Sequence, residues 1–194
     1  MKKIIDQRYL ESIQAKQRSR ERHPDDLIRA ATMIVDSFNS ENKLLIFGNG
    51  GSAADAQHIA AEFVNRFMIE RPPLPALALS TDTSILTSIS NDYSFNDVFS
   101  KQVKALGLEG DVAWGISTSG TSANVLEALA VARDQGLQTI GMTGKKTTGM
   151  SEVAQVLLTV EAGDTARVQE CHITMAHIIV ELVDYQLFQR LTLR

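Results

Sequence analysis

The sequence predicts an α/β fold: a five-stranded parallel sheet flanked by helices, with an N-terminal helical extension, in one domain of 194 residues. Three observations predict it. From residue 43 onward, short apolar runs alternate with longer amphipathic ones, and that alternation implies parallel strands joined by crossover helices. Two of the strands break directly into glycine-rich or hydroxyl-rich loops that open a helix, as expected where ligands bind beyond the carboxyl ends of strands. Two amphipathic helices precede the first strand and stand outside the repeating pattern.

The first helix covers residues 4–22, where Ile4, Ile5, Tyr9, Leu10 and Ile13 recur at helical intervals. Pro24 closes it, because proline is poorly tolerated inside a helix. The second begins at Pro24-Asp25-Asp26, with proline and acids in its first turn. Its apolar stripe is Leu27, Ile28, Ala31, Ile34, Val35 and Phe38. Residues 1–40 thus form the extension, and Ser40-Glu41-Asn42 turns the chain into the core at 43–160. The predicted strands are 43–47, 76–79, 112–116, 138–142 and 156–160.

The first strand runs into Gly48-Asn49-Gly50-Gly51-Ser52, followed by a helix predicted over 53–67. Glycine tolerates positive φ and has no Cβ to hold a ligand away, so main-chain N–H groups can face whatever sits at this helix N-terminus, which Ser52 is placed to cap. His58 and Glu62 are four residues apart on that helix. They share one face and suit either a common metal or substrate or a plain surface hydrogen-bonded pair. After the second strand a short helical run ends at Ser90-Asn91-Asp92-Tyr93, where Asn91 and Asp92 are turn formers. Asn96-Asp97 is then expected to cap a helix over 98–106 with Val98, Phe99, Val103 and Leu106 inward.

The third strand leads into Ser117-Thr118-Ser119-Gly120-Thr121-Ser122 and a helix over 123–135. One Ser or Thr suffices to cap a helix. Five hydroxyls in six residues therefore point to an anion, and with no lysine in the loop the natural guest is a phosphate monoester held by neutral donors and the helix dipole. Beyond the fourth strand, Lys145 and Lys146 read as solvated. The chain ends in an amphipathic run at 165–191 without proline or glycine. At 1.5 Å per residue that is about 40 Å of helix, longer than a domain of this size needs, so it is expected to pack against a second copy of the chain. Gln169, His172 and His177 interrupt its apolar pattern and are candidates for function.

Composition bounds the rest. A net charge of −4 disfavours direct nucleic-acid binding, and the basic cluster at 16–22 reads as a solvated helix face. No apolar run approaches the roughly 18 residues of a membrane helix and the N-terminus lacks a secretory core, so a cytoplasmic protein is expected. Cys171 is the single cysteine, leaving His, Glu, Asp or Gln to hold any metal.

Taken together, Gly48-Asn49-Gly50-Gly51-Ser52, Gln57-His58, Ser90-Asn91-Asp92, the run from Gly115 to Val125, and Ala166-Arg167-Val168-Gln169-Glu170 resemble the phosphoheptose isomerase family of the sugar-isomerase (SIS) domain superfamily. The similarity covers nearly the whole chain. The resemblance implies a three-layer SIS-type fold, and an isomerase that converts sedoheptulose 7-phosphate to the aldose heptose 7-phosphate through an enediol for bacterial surface heptoses. It implies that Ser117, Thr118, Ser119 and Ser122 hold the phosphate, that Asn49, Gly50, Gly51, Asn91, Asp92 and Gln169 contact substrate, and that His58, Glu62, Gln169 and His177 bind zinc. Glu62 and His177 would be the acid–base pair, in a homotetramer with sites shared between subunits. The chain departs from the pattern at Ala166, where some relatives carry an acid, and in a shorter loop after Gly144. Two other readings stand beside it. One is a non-catalytic SIS protein binding the bacterial replication initiator, for which the N-terminal segment and Arg71-Pro72-Pro73-Leu74-Pro75 would serve; the other is a sugar-phosphate-sensing SIS module.

Overall fold

The computed structural model describes residues 1–189. Its sheet contains β1 (Leu44–Gly48), β2 (Ala76–Ala78), β3 (Val112–Ser117), β4 (Gln138–Thr143) and β5 (Val156–Thr159), in the order β2-β1-β3-β4-β5. Every neighbouring pair is parallel. Side chains alternate between the faces of a strand, and here both faces are covered. Leu44 and Ile46 enter one apolar cluster while Leu45 and Phe47 enter the other.

Helices form the outer two layers. α1 (Lys2–Arg22), α2 (Pro24–Asn39), α3 (Gly51–Val64) and α8 (Thr165–Asp184) contribute to the first cluster. α4 (Thr83–Asp92), α5 (Ser100–Leu106), α6 (Ala123–Asp134) and α7 (Met150–Val153) contribute to the second. From β1 the chain goes to β2 on one side and returns to β3 on the other, so the strand order reverses between β1 and β3. That reversal is where a parallel sheet leaves a crevice at its carboxyl edge. The glycine turn and the hydroxyl loop flank it, with Gly48 in register with Ile116.

Several local expectations are corrected. Ser52 does not cap α3; Gly50, at φ 56°, is the N-cap, and Ser52 is buried inside the helix. α3 stops at Val64 rather than running to residue 67, because the chain turns back and Leu74 N–H donates to the Phe63 carbonyl at 3.1 Å. Ser94, not Asn96 or Asp97, caps a 3-10 turn at Phe95–Asp97, and α5 starts after it. Ile28 and Leu106 point outward, and Ala30 takes the buried place on α2.

The C-terminal helix is the larger correction. Val168, Cys171, Met175, Ala176, Ile179, Val180 and Val183 on α8 are buried within the chain, against α1, α2 and α3. The helical extension packs over that stripe, while Ile178 on the same helix stays 39% exposed. A π-helical turn at Tyr185–Gln189 follows it, and the rest of the predicted span to 191 lies outside the described residues. The uncovered apolar row is on α1, where Ile4, Ile5, Tyr9, Leu10 and Ile13 are 49–70% exposed. Among the described residues, no helix is long and apolar enough to cross a membrane.

Candidate active site

The hydroxyl loop closes on itself at the mouth of β3. Ser117 Oγ lies 2.8 Å from Ser122 Oγ and 3.3 Å from Ser119 Oγ, and Thr121 N–H donates to Ser119 Oγ at 3.2 Å. Ser122 is the N-cap of α6, yet its hydroxyl makes no capping bond. Three hydroxyls therefore converge at the positive end of a twelve-residue helix, free of the capping bond that usually occupies one of them. Gly120 sits at φ 70°, and a Cβ there would collide with the Lys146 carbonyl. The segment after β4 backs the loop: Gly144 N–H donates to the Thr118 carbonyl at 3.1 Å, and Thr143 Oγ1 to the Lys146 carbonyl at 2.9 Å. Lys145 and Lys146 are exposed, as expected.

Across the crevice the glycine turn is tied to this loop by Asn124, which no sequence pattern singled out. Asn49 and Asn124 exchange two side-chain hydrogen bonds, at 2.8 and 2.9 Å, joining the end of β1 to the first turn of α6. Each carboxamide spends one donor and one acceptor on the other, so Asn49 keeps a second N–H for a ligand. A Cβ at Gly51 would meet the end of the Gln169 side chain. Gln169 thus lies against the glycine turn.

His58, Glu62 and His177 meet on the α3–α8 seam. His58 Nε2 is 3.1 Å from Glu62 Oε1 and 3.1 Å from His177 Nε2, and one ligand atom from each of the three lies within 4.8 Å of the others. Two imidazoles and a carboxylate are a zinc-type donor set. Bonds of about 2.0–2.1 Å at tetrahedral angles place donors about 3.3 Å apart, close to the spacing seen, so these residues fit the metal. The cluster stands open, with the His58 side chain 48% exposed and that of Glu62 23%. Phe67, just beyond α3, stacks on the His177 ring at 5.3 Å between centroids. The only sequence signal for it is an aromatic next to the helix end. Asp55, one turn before His58, has its carboxyl pushed above the ordinary range by burial, with His58 partly opposing the shift.

Two candidates stand apart. Asn91 and Asp92 lie on the exposed end of α4, bonded to each other at 2.8 Å, and make no hydrogen bond to the loop or the triad. His172 is buried away from the cluster, and its Nε2–H donates to the Thr143 carbonyl at 3.1 Å. Burial lowers its pKa to about 4, so it is a neutral structural group behind β4. A groove of about 540 Å³ at the opposite edge of the sheet, lined by Arg29, Met33, Asn42 and Gly110 among others, contains no comparable cluster.

Comparison with known proteins agrees with this geometry. The SIS domain family matches residues 8–144. A phosphoheptose isomerase of Nitratidesulfovibrio vulgaris is 54% identical over 85% of this chain and 79% of its own length. The chain belongs to the phosphoheptose isomerase family. The solved phosphoheptose isomerase of Neisseria gonorrhoeae superposes with a TM-score of 0.88 at 44% identity, covering 94% of this chain and 98% of that one. That of Francisella tularensis gives 0.90 at 35% identity, over 94% and 97%. Membership makes the chain an isomerase.

Proposed function

We propose that this protein converts sedoheptulose 7-phosphate to D-glycero-D-manno-heptose 7-phosphate, on the route to bacterial surface heptoses. The reading is supported by family membership together with a carboxylate-and-imidazole cluster on the α3–α8 seam and a loop of converging hydroxyls at the strand-order reversal. Ser117, Thr118, Ser119 and Ser122 hold the phosphate. Asn49, Gly50, Gly51, Asn91, Asp92 and Gln169 contact the sugar chain. Glu62 removes a proton from C1 of the open ketose and returns one to C2, and His177 moves the accompanying proton between the two oxygens. Such proton transfers need a base and an acid within reach of adjacent atoms. His58, Glu62 and His177, with Gln169 as fourth donor, would hold zinc, which when bound polarises the carbonyl.

The same reading includes a homotetramer, supported by the apolar row of α1 and by the openness of the triad, and work in the cytoplasm, where phosphorylated sugars are made. The initiator-binding alternative is not favoured. Its segment is not a free strip, since the Arg71 side chain is 1% exposed and Leu74 is buried. Incubating purified protein with sedoheptulose 7-phosphate, with and without zinc, is the test. Appearance of the aldose product supports the reading, and none in either condition overturns it.

A further inference from the structure

Arg71 lies in the loop returning from α3, outside the hydroxyl loop and the triad, yet its side chain is buried and bonds through all three of its nitrogens. Its Nε–H donates to Asp184 Oδ1 at 2.9 Å. One Nη donates to the Glu62 carbonyl at 2.8 Å, and the other to the Phe63 carbonyl at 2.6 Å and, more weakly, to the Asn65 and Pro72 carbonyls. The acceptors have a pattern. Glu62 and Phe63 belong to the last turn of α3, whose carbonyls lack helical partners and carry the negative end of the dipole. Asp184 is the last residue of α8, seven residues beyond His177. One guanidinium therefore joins the ends of the two helices that bear His58, Glu62 and His177, and it holds the main chain of Glu62 itself.

We propose that the Arg71–Asp184 pair is a positioning device for the metal triad, setting the spacing of α3 and α8 at which the three donors converge. The inference rests on the metal reading of that triad. Arginine suits this role because a planar fork with five N–H donors reaches helix carbonyls and a carboxylate at once, whereas a lysine ammonium is a point charge on a flexible stem. The pair touches neither the hydroxyl loop nor β3, so phosphate recognition stands apart from it.

The test uses the full-length protein stripped of metal and titrated with zinc against a competing chelator, and with cobalt to read the coordination spectrum. Asp184→Asn and Arg71→Lys keep size and part of the hydrogen bonding. The double change Arg71→Met with Asp184→Leu removes both charges together and leaves none buried alone, a replacement that proteins often tolerate well. For folded variants, metal affinity is expected to fall about 10- to 100-fold, the loss typical when a supporting partner of a ligand is removed. The cobalt spectrum should shift, and kcat should fall while KM for the sugar phosphate holds. If the double variant or Asp184→Asn binds zinc as tightly as the parent with an unchanged cobalt spectrum, while only the melting temperature drops, the pair is merely structural and the proposal is overturned. A parent that takes up no metal at all overturns the metal reading, and the positioning role with it.

Discussion

At the residue scale, the chemistry divides between side chains that touch substrate and those that keep the site in shape. Ser119 and Ser122 are proposed for the first group, because their hydroxyls both meet Ser117 Oγ at the α6 N-terminus and that of Ser122 makes no capping bond. Ser119→Ala or Ser122→Ala should weaken sugar-phosphate binding by about 0.5–3 kcal/mol, the range for one hydrogen bond to a charged partner. Calorimetric titration measures it, and parental affinity in both variants would remove the loop from phosphate binding. His172 is in the second group. Its folded pKa, about 4, lies below the ordinary 6.5, so between these values the unfolded chain takes up a proton that the folded one refuses. Stability therefore falls as the pH drops from 6.5 toward 4, by about 1.4 kcal/mol per unit from this group at full effect. His172→Gln keeps an N–H for the Thr143 carbonyl and should flatten that slope in denaturant titrations. An unchanged slope would mean that His172 is not the group responsible.

At the scale of elements, the readable signals were those carried by consecutive residues. β1 is a run of adjacent apolar side chains and β3 nearly so, and the hydroxyl loop lies within six positions, so all were legible and are found. What a helix face packs against was not legible, because an apolar stripe has the same pattern whether its partner is in the same chain or another. The stripe on α8 is covered at home by α1 and α2, while the row on α1, noted in the sequence only as periodic, is left bare. The Asn49–Asn124 strut and the Arg71–Asp184 pair join positions 75 and 113 residues apart, which no local pattern announces. The bare row carries a prediction. Five large apolar side chains along one helix exceed the scattered exposure normal for a surface and suit an interface of the proposed tetramer. Leu10→Asp with Ile13→Asp should therefore reduce the assembly to a smaller species by light scattering without loss of helical signal. Retention of the parental mass would show that α1 is not the assembly face.

At the scale of the whole molecule, the hydroxyl loop opens beside the strand-order reversal between β1 and β3, and the α3–α8 seam brings His58 and His177 together although they are 119 residues apart. The sequence alone showed His58 and Glu62 as a pair on one helix and offered Gln169, His172 and His177 together as candidates; only the resemblance separated His177 from the structural His172 five residues earlier. Such an arrangement separates an enzyme from a binding module: a protein that only recognises a sugar phosphate has no need for a base on one helix and an imidazole on another. Glu62→Gln keeps the side-chain shape while removing the base, and turnover should fall by about 10²- to 10⁴-fold, the usual worth of a lost acid–base group. Because the proposed phosphate site is at the α6 N-terminus rather than on Glu62, sugar-phosphate binding should survive the change. The measurement that reads the base directly is exchange of the C1 proton of sedoheptulose 7-phosphate in deuterated water with zinc supplied. The parent should exchange it and Glu62→Gln should not. Exchange at the parental rate in the variant would assign the base elsewhere, and no exchange in the parent would leave the fold as a sugar-phosphate receptor without the isomerase step.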